Sequence, residues 1–137
     1  MLRRGLRDDA VALVLIAGGG ALGTYARYAT DLAVGHALVG TFLANVVGCF
    51  LLGLVLFDVR AEELLTKRYR LLFGTGFCAS FTTFSTFALD VASSSPLVAL
   101  AYVGASYGCG FGAVLASRAF LEVLGSTPVG PPSRGER

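Results

Sequence analysis

The sequence predicts an all-α membrane protein of four transmembrane helices, and three observations carry that prediction. Composition is the first: of 137 residues, 55% are hydrophobic and only 15% charged, with a mean hydropathy of +0.71. In soluble domains about a quarter of residues are charged. Distribution is the second, since the apolar residues collect into four long runs, at about residues 10–28, 38–57, 71–89 and 97–117, joined by short polar connections. Length is the third. A helix rises about 1.5 Å per residue, so about 20 residues cross a hydrocarbon core about 30 Å thick, and each run reaches that span. Strands of a membrane barrel need only about ten residues and alternate apolar with polar side chains, a pattern these uniform runs lack. The runs make one domain over residues 1–125, which leaves too little soluble sequence for a catalytic unit. No enzyme is expected.

The first run opens with Arg3, Arg4 and Arg7 ahead of an apolar stretch, the layout of a secretory signal, but Gly18–Gly23 offers no clear small-x-small cleavage site. The segment is therefore expected to stay as the first membrane helix. Arg27 is its one charge and falls near the end of the run, where a long side chain can reach the interface. Gly18, Gly20 and Gly23 copy the G-x-G-x-x-G spacing of a dinucleotide-binding turn, yet that fingerprint needs a strand, a parallel sheet and an acidic residue about twenty positions on. Asp31 comes too early and three more spans follow, so the glycines read as packing positions that let helix backbones approach. Cys49, Cys78 and Cys109 fall in different runs without C-x-x-C spacing, and His36 sits in a connection. They read as small apolar side chains and a solvated loop residue, with no disulfide or zinc framework.

Four helices and three connections put both termini and the second connection, residues 58–70, on one face. Ten of the eleven basic residues lie there: Arg3, Arg4, Arg7, Arg60, Lys67, Arg68, Arg70, Arg118, Arg134 and Arg137. This excess predicts a multi-pass protein of the plasma or inner membrane with both termini cytoplasmic. Leu64 and Leu65 against Arg60, Glu62, Glu63, Lys67 and Arg68 make the second connection a short amphipathic helix in the headgroup layer. Residues 126–137, rich in Pro, Gly and charge, read as a disordered tail.

With charge excluded from the bilayer core, uncharged polar side chains carry the functional information, because each needs a hydrogen-bond partner or water. The second run offers Thr41 and Asn45, four apart on one helical face, and the fourth offers Tyr102 and Ser106 at the same spacing, with Gly110 next. The third run has five hydroxyls in eight residues, Ser80, Thr82, Thr83, Ser85 and Thr86, interleaved with Phe81, Phe84 and Phe87. Hydroxyls that bond back to a carbonyl one turn earlier can loosen or break a helix. Membranes tolerate the freed backbone groups where they bind an ion or line a cavity. The same cluster can equally serve interhelical hydrogen bonds, with the phenylalanines as packing. Asp31 and Asp90 fall just beyond the ends of their runs, so no carboxylate lies inside a span. A proton-coupled exporter needs such a group, whereas hydroxyl and amide donors suit an anion that must shed its hydration shell. The alternative from another class is a non-conducting packing or assembly protein.

Three motifs in order carry a resemblance: GGALGTYARY (Gly19–Tyr28), GTFLANVVGCFLLG (Gly40–Gly53) and GFCASFTTFSTF (Gly76–Phe87). Through them the chain resembles the CrcB/Fluc family of fluoride channels over all but its extreme N-terminus and tail. The resemblance implies passive, fluoride-selective export that limits fluoride toxicity in the cytoplasm. It also implies an antiparallel dimer of four-helix subunits, a break in the third helix, and a structural sodium ion buried at the dimer centre.

Carried over by motif, Phe84 and Phe87 are the aromatic pair lining the ion path, and the positive edges of such rings can receive an anion. Asn45 turns its amide toward the ion, Thr86 and Ser106 continue a polar track, Tyr102 aligns with it, and Thr41 shares the Asn45 face. Arg27 is the first-helix arginine whose charge near a pore mouth raises the local anion concentration. The main-chain carbonyls of Ala79 and Thr82 are the implied sodium ligands. Family members usually carry two glycines where this chain has Ala79 and Ser80, and a position needing positive φ is harder for alanine than for glycine. Gly110 stands where a serine hydroxyl can occur. The ten-to-one charge bias disfavours a chain that inserts both ways, so the second subunit is either another copy or, as the bias favours, an oppositely oriented relative. The partners implied are fluoride, the lipid bilayer and that subunit, with no nucleic acid.

Overall fold

The computed structural model describes residues 2–57 and 67–124, and the regular elements among them are helical. Most of the amphipathic helix expected in the second connection, Arg60 included, lies outside the described residues. So do the tail with Arg134 and Arg137 and the side chains of Arg3 and Arg4.

Helix α1 (Leu2–Val34) turns into α2 (Ala37–Phe57) through two residues. Gly35 allows this. At φ 65° it adopts the left-handed conformation that side chains disfavour, and its N–H closes the last turn of α1 on the Asp31 carbonyl at 3.0 Å. The third span consists of α3 (residues 67–81) and α4 (Phe84–Ser93), and the fourth is α5 (Pro96–Val123). Within α3, Arg70–Cys78 is wound as a π-helix and Ala79–Phe81 returns to α. The Ser94 hydroxyl closes α4 by donating to the Asp90 carbonyl at 2.7 Å, and Pro96, whose missing N–H costs nothing in a first turn, starts α5. Arg7–Val34, Ala37–Phe57, Lys67–Ser93 and Pro96–Val123 are each long and apolar enough to cross a bilayer. The chain is a multi-pass membrane protein.

Three helices outrun the sequence expectation. α1 continues past Tyr28 to Val34, α4 past Leu89 to Ser93, and α5 past Ser117 to Val123. Hydropathy marks where charge begins, whereas a helix ends where its hydrogen bonds do, and the first breaker after Tyr28 is Gly35. Asp31 and Asp90, expected beyond the spans, therefore lie inside α1 and α4. With 33 residues, α1 is about 50 Å long and exceeds the hydrocarbon core, so its ends reach the headgroup level or beyond.

α1 packs mainly on α3, and α2 mainly on α5. The first of these contacts is backbone on backbone. A Cβ at Gly19 would run into the Leu72 carbonyl and one at Gly23 into the Phe77 carbonyl, while one at Gly76 would sit 2.8 Å from the Ile16 carbonyl oxygen. Small residues give membrane helices such close approaches. The packing reading of the glycine motif holds, but Gly19 and Gly23, one helical turn apart, carry it, and Gly18 faces open space. Between α2 and α5, the fully buried Ser117 stands against Gly53 and donates its hydroxyl to the Val114 carbonyl at 2.7 Å. Phe81 and Tyr102 are buried, whereas Val14, Tyr25, Leu97 and Phe111 face outward. So much outward apolar surface suits lipid or another subunit.

Gly23→Ala is expected to destabilise the purified protein by about 1–3 kcal/mol through overpacking. Gly18→Ala, on the same helix, is expected to leave it unchanged or up to about 1 kcal/mol more stable. Thermal unfolding in detergent compares the two, and equal melting temperatures would contradict a backbone contact between α1 and α3.

Candidate functional site

Thr82 and Thr83 separate α3 from α4. Thr82 has φ −81° and ψ 159°, and Thr83 has φ −148° and ψ 125°, so both are extended. The hydroxyl-rich sequence accounts for the interruption, because each threonine satisfies one helix end. Thr82 bonds back to the Cys78 carbonyl through its N–H at 3.0 Å and its hydroxyl at 2.9 Å. Thr83 caps α4: its Oγ1 accepts the Thr86 N–H at 3.2 Å and donates to the Thr86 hydroxyl at 3.1 Å.

Asn45 of α2 fixes this break from the side. Its Oδ1 accepts the Thr83 N–H at 2.8 Å, and its Nδ2 donates to the Thr83 carbonyl at 3.1 Å. One side-chain amide thus pairs with Thr83 as a neighbouring strand would. Because that N–H turns to Asn45, the Ala79 carbonyl loses its helical donor, and among the described residues no backbone N–H reaches the Ser80 carbonyl. Asn45 was expected to direct its amide at an ion. Half of that donor capacity is committed to Thr83, leaving one N–H. Ala79 stands at φ −65°, and among the described residues only Gly35 has positive φ. Alanine in place of glycine carries no backbone strain here.

The break opens onto a groove of about 470 Å³ between α2, α3, α4 and α5. Asn45, Ala79, Thr82, Thr83, Phe84, Phe87 and Ser106 line it, together with Cys49, Cys78, Tyr107 and Phe111. The Ser106 Oγ is buried with no hydrogen-bond partner among the described residues. A hydroxyl left unmet costs about 1–3 kcal/mol, so it is the polar atom of the groove most in need of a guest. Aromatic rings surround the position. The centroids of Phe84 and Phe87 lie 6.1 Å apart, and Phe87 stacks on Tyr102 at 5.3 Å and meets Tyr107 edge to face at 6.3 Å. Phe84 is 74% exposed, so one wall of the groove opens on the outside of the subunit.

A second polar cluster occupies the end of the bundle where α1 meets α2. The Arg27 side chain, 12% exposed, donates to the Gly40 carbonyl at 3.2 Å and to Thr41 Oγ1 at 3.0 Å, and pairs with Asp31 at 3.2 Å. Nearby, the Tyr102 hydroxyl donates to the Asp90 carboxylate at 3.5 Å. The residues expected along one track are therefore divided. The groove gathers Asn45, Phe84, Phe87 and Ser106 with the backbone of Ala79 and Thr82, while Thr41, Thr86, Tyr102 and Arg27 fall outside its lining. Thr86 is engaged in the α4 cap, Thr41 is fully buried against Arg27, and Tyr102 reaches the groove only through the Phe87 ring. The charge of Arg27, expected to act on anions at a pore mouth, is compensated by Asp31.

Tyr107 and Phe111 carry no expectation from the sequence, and Thr83, read there only as one of five clustered hydroxyls, is the cap of α4. A threonine directly before a helix is a capping signal, and Tyr107 and Phe111, four apart, share a helical face. Cys49 and Cys78, read only as small apolar side chains, also line the groove, and all three cysteines are free.

The profile of the family described as "CrcB-like protein, Camphor Resistance (CrcB)" matches residues 14–118, which include every groove residue. The fluoride-specific ion channel FluC 2 of Halobacterium salinarum is 39% identical over 115 residues, covering 83% of this chain and 89% of its own length. The fluoride-specific ion channel FluC 1 of Natronomonas pharaonis is 38% identical over 112 residues, covering 81% and 94%. The fluoride-specific ion channel FluC 2 of Methanosarcina mazei is 36% identical over 117 residues, covering 85% and 92%. With so much of each chain aligned, this protein belongs to the CrcB family, a family of membrane ion channels and not of enzymes.

Proposed function

We propose that this chain is a subunit of a fluoride-selective channel through which fluoride leaves the cytoplasm passively, reducing its toxicity. The relatives named as fluoride-specific ion channels supply the ion. The observation that carries the reading is the groove, where the unmet Ser106 hydroxyl, the remaining Asn45 N–H and the Phe84 and Phe87 rings lie together. Fluoride holds its water tightly. A path for it must replace that water with several weak donors, none strong enough to trap the ion. A hydroxyl, an amide N–H and ring edges meet this requirement without a fixed charge.

The open side of the groove needs a second subunit to become a pore, and an antiparallel dimer supplies one. Ten of eleven basic residues on one side favour an oppositely oriented relative as the partner over a second copy. A structural sodium ion fits the break. Ala79 and Thr82 would hold it through their carbonyls, the first of which has lost its helical donor. When bound, the ion supplies a fixed positive charge beside the threonine cluster. The Asn45–Thr83 pair keeps the two helix ends in register for it.

Fluoride efflux from liposomes reconstituted from detergent, where insertion bias no longer acts, is the primary test. Phe84→Ile and Phe87→Ile are each expected to slow efflux by about tenfold or more, equivalent to about 1.4 kcal/mol in the barrier, and chloride is expected not to pass. Absence of wild-type flux, alone and with an oppositely oriented relative, overturns the channel assignment. Asn45→Ala, which removes both bonds to Thr83, is expected to cost about 1–3 kcal/mol in detergent unfolding and to abolish most of the flux. Reporters fused to the two termini in cells are expected to mark the cytoplasmic face alone; equal signals from both faces would favour self-pairing.

A further inference from the structure

Between residues 10 and 57 and between 71 and 117 the chain carries three charged side chains, Arg27, Asp31 and Asp90. All three stand at the same end of the bundle, where α1 gives way to α2 and α4 to α5. Arg27 is the one cation among them, and it is not free. Its guanidinium lies between α1 and α2, bonded to Gly40 and Thr41 and paired with Asp31. The Asp31 Oδ1 that meets it is buried and has no other polar partner. The α2 backbone is shaped to receive this carboxylate, because a Cβ at Gly40 would sit 2.7 Å from that oxygen. The pair sits at the helix junction with its Arg27 side chain and the facing Asp31 oxygen buried, while the rest of the Asp31 side chain, 42% exposed, meets solvent that screens part of its charge. Tyr102, which stacks on Phe87 of the groove, lies within electrostatic range of both Arg27 and Asp90.

We propose that Asp31 is a positioning counter-charge: it holds Arg27 as an electrically neutral brace between α1 and α2, so that Asp90 leaves this mouth of the path net negative and slows anions arriving there. The inference rests on the fluoride-channel reading. It assigns Arg27 a mechanical task in place of attraction, and makes Asp31 the residue that sets how readily an anion approaches from this end. A single charge acting through water at such a mouth changes local anion concentration by a small factor, and salt removes the effect.

Asp31→Asn tests the proposal in the same liposome assay at fluoride well below saturation. Its initial rate is expected to exceed wild type by about two- to fivefold at low ionic strength, and the difference is expected to vanish at about 1 M salt, where the screening length falls to about 3 Å. Asp31→Glu is expected to behave as wild type, and the neutral pair Arg27→Gln/Asp31→Asn to regain the wild-type salt response. Should Asp31→Asn not fold, Arg27→Gln serves, with flux lowered at low ionic strength and restored by salt. A rate at or below wild type for Asp31→Asn, a gain that survives high salt, or an Arg27→Gln rate indifferent to salt overturns the proposal. Detergent unfolding of the two single variants and the double variant reads the Arg27–Asp31 coupling without fluoride, and zero coupling overturns it as well. Loss of flux in wild type and every variant, with the coupling intact, counts against the channel reading instead.

Discussion

The pairing of Asn45 with Thr83 is the interaction on which the rest of the site depends. A residue whose N–H and carbonyl both go to a side chain from another helix cannot also continue its own helix. Asn45 therefore decides where α3 stops, and with it the direction in which α4 leaves and the place where Phe84 and Phe87 arrive. The threonines on either side meet the helix ends that this choice exposes, Thr82 behind and Thr83 ahead. Two further contacts keep the partners in register. α1 holds α3 through carbonyls and glycines, and α2, which carries Asn45, also packs on α5, which carries Ser106.

Polar chemistry in this protein is divided into two zones with different physics. Along the groove, neutral donors act at short range, each offering less than a charge would, which suits an ion that must be bound and released. At the α1–α2 end, full charges act at long range but are arranged to cancel in part. The Phe87–Tyr102 stack is the bridge between them, with one ring in the groove and the other bonded to Asp90. An apolar contact thus separates the two zones and fixes their spacing, so the charges stand off from the place where desolvation is most severe.

Much of this was legible in the sequence, for reasons that also explain what was not. Runs of about 20 apolar residues have few physical solutions, so the four spans could be read directly. The density of hydroxyls marked the third run as the place where a helix can break, because side-chain bonding to nearby backbone is a local property. What Asn45 would touch was not local: its partner lies 38 residues away, and nothing in its own surroundings names Thr83. The glycine motif erred in register for a similar reason. G-x-G-x-x-G picks out Gly18, Gly20 and Gly23, whereas a helix in contact with another selects residues three or four apart; Gly23 meets that rule together with Gly19, which the motif skips, and Gly18 does not. The helices continue past Tyr28, Leu89 and Ser117 because hydropathy follows the membrane boundary and hydrogen bonding does not.

The conformation of Ala79 has a consequence for the unfolded chain. Ala79 and Ser80 lie in a short α-helical turn that ordinary side chains accept, with Ala79 at φ −65°. Glycine at such positions would enlarge the set of conformations available before folding and gain nothing afterwards, at about 0.4–1 kcal/mol per residue. A chain with alanine and serine there begins with fewer conformations to lose. Its break, at Thr82 and Thr83, is paired to Asn45 and calls for no glycine conformation in the turn before it.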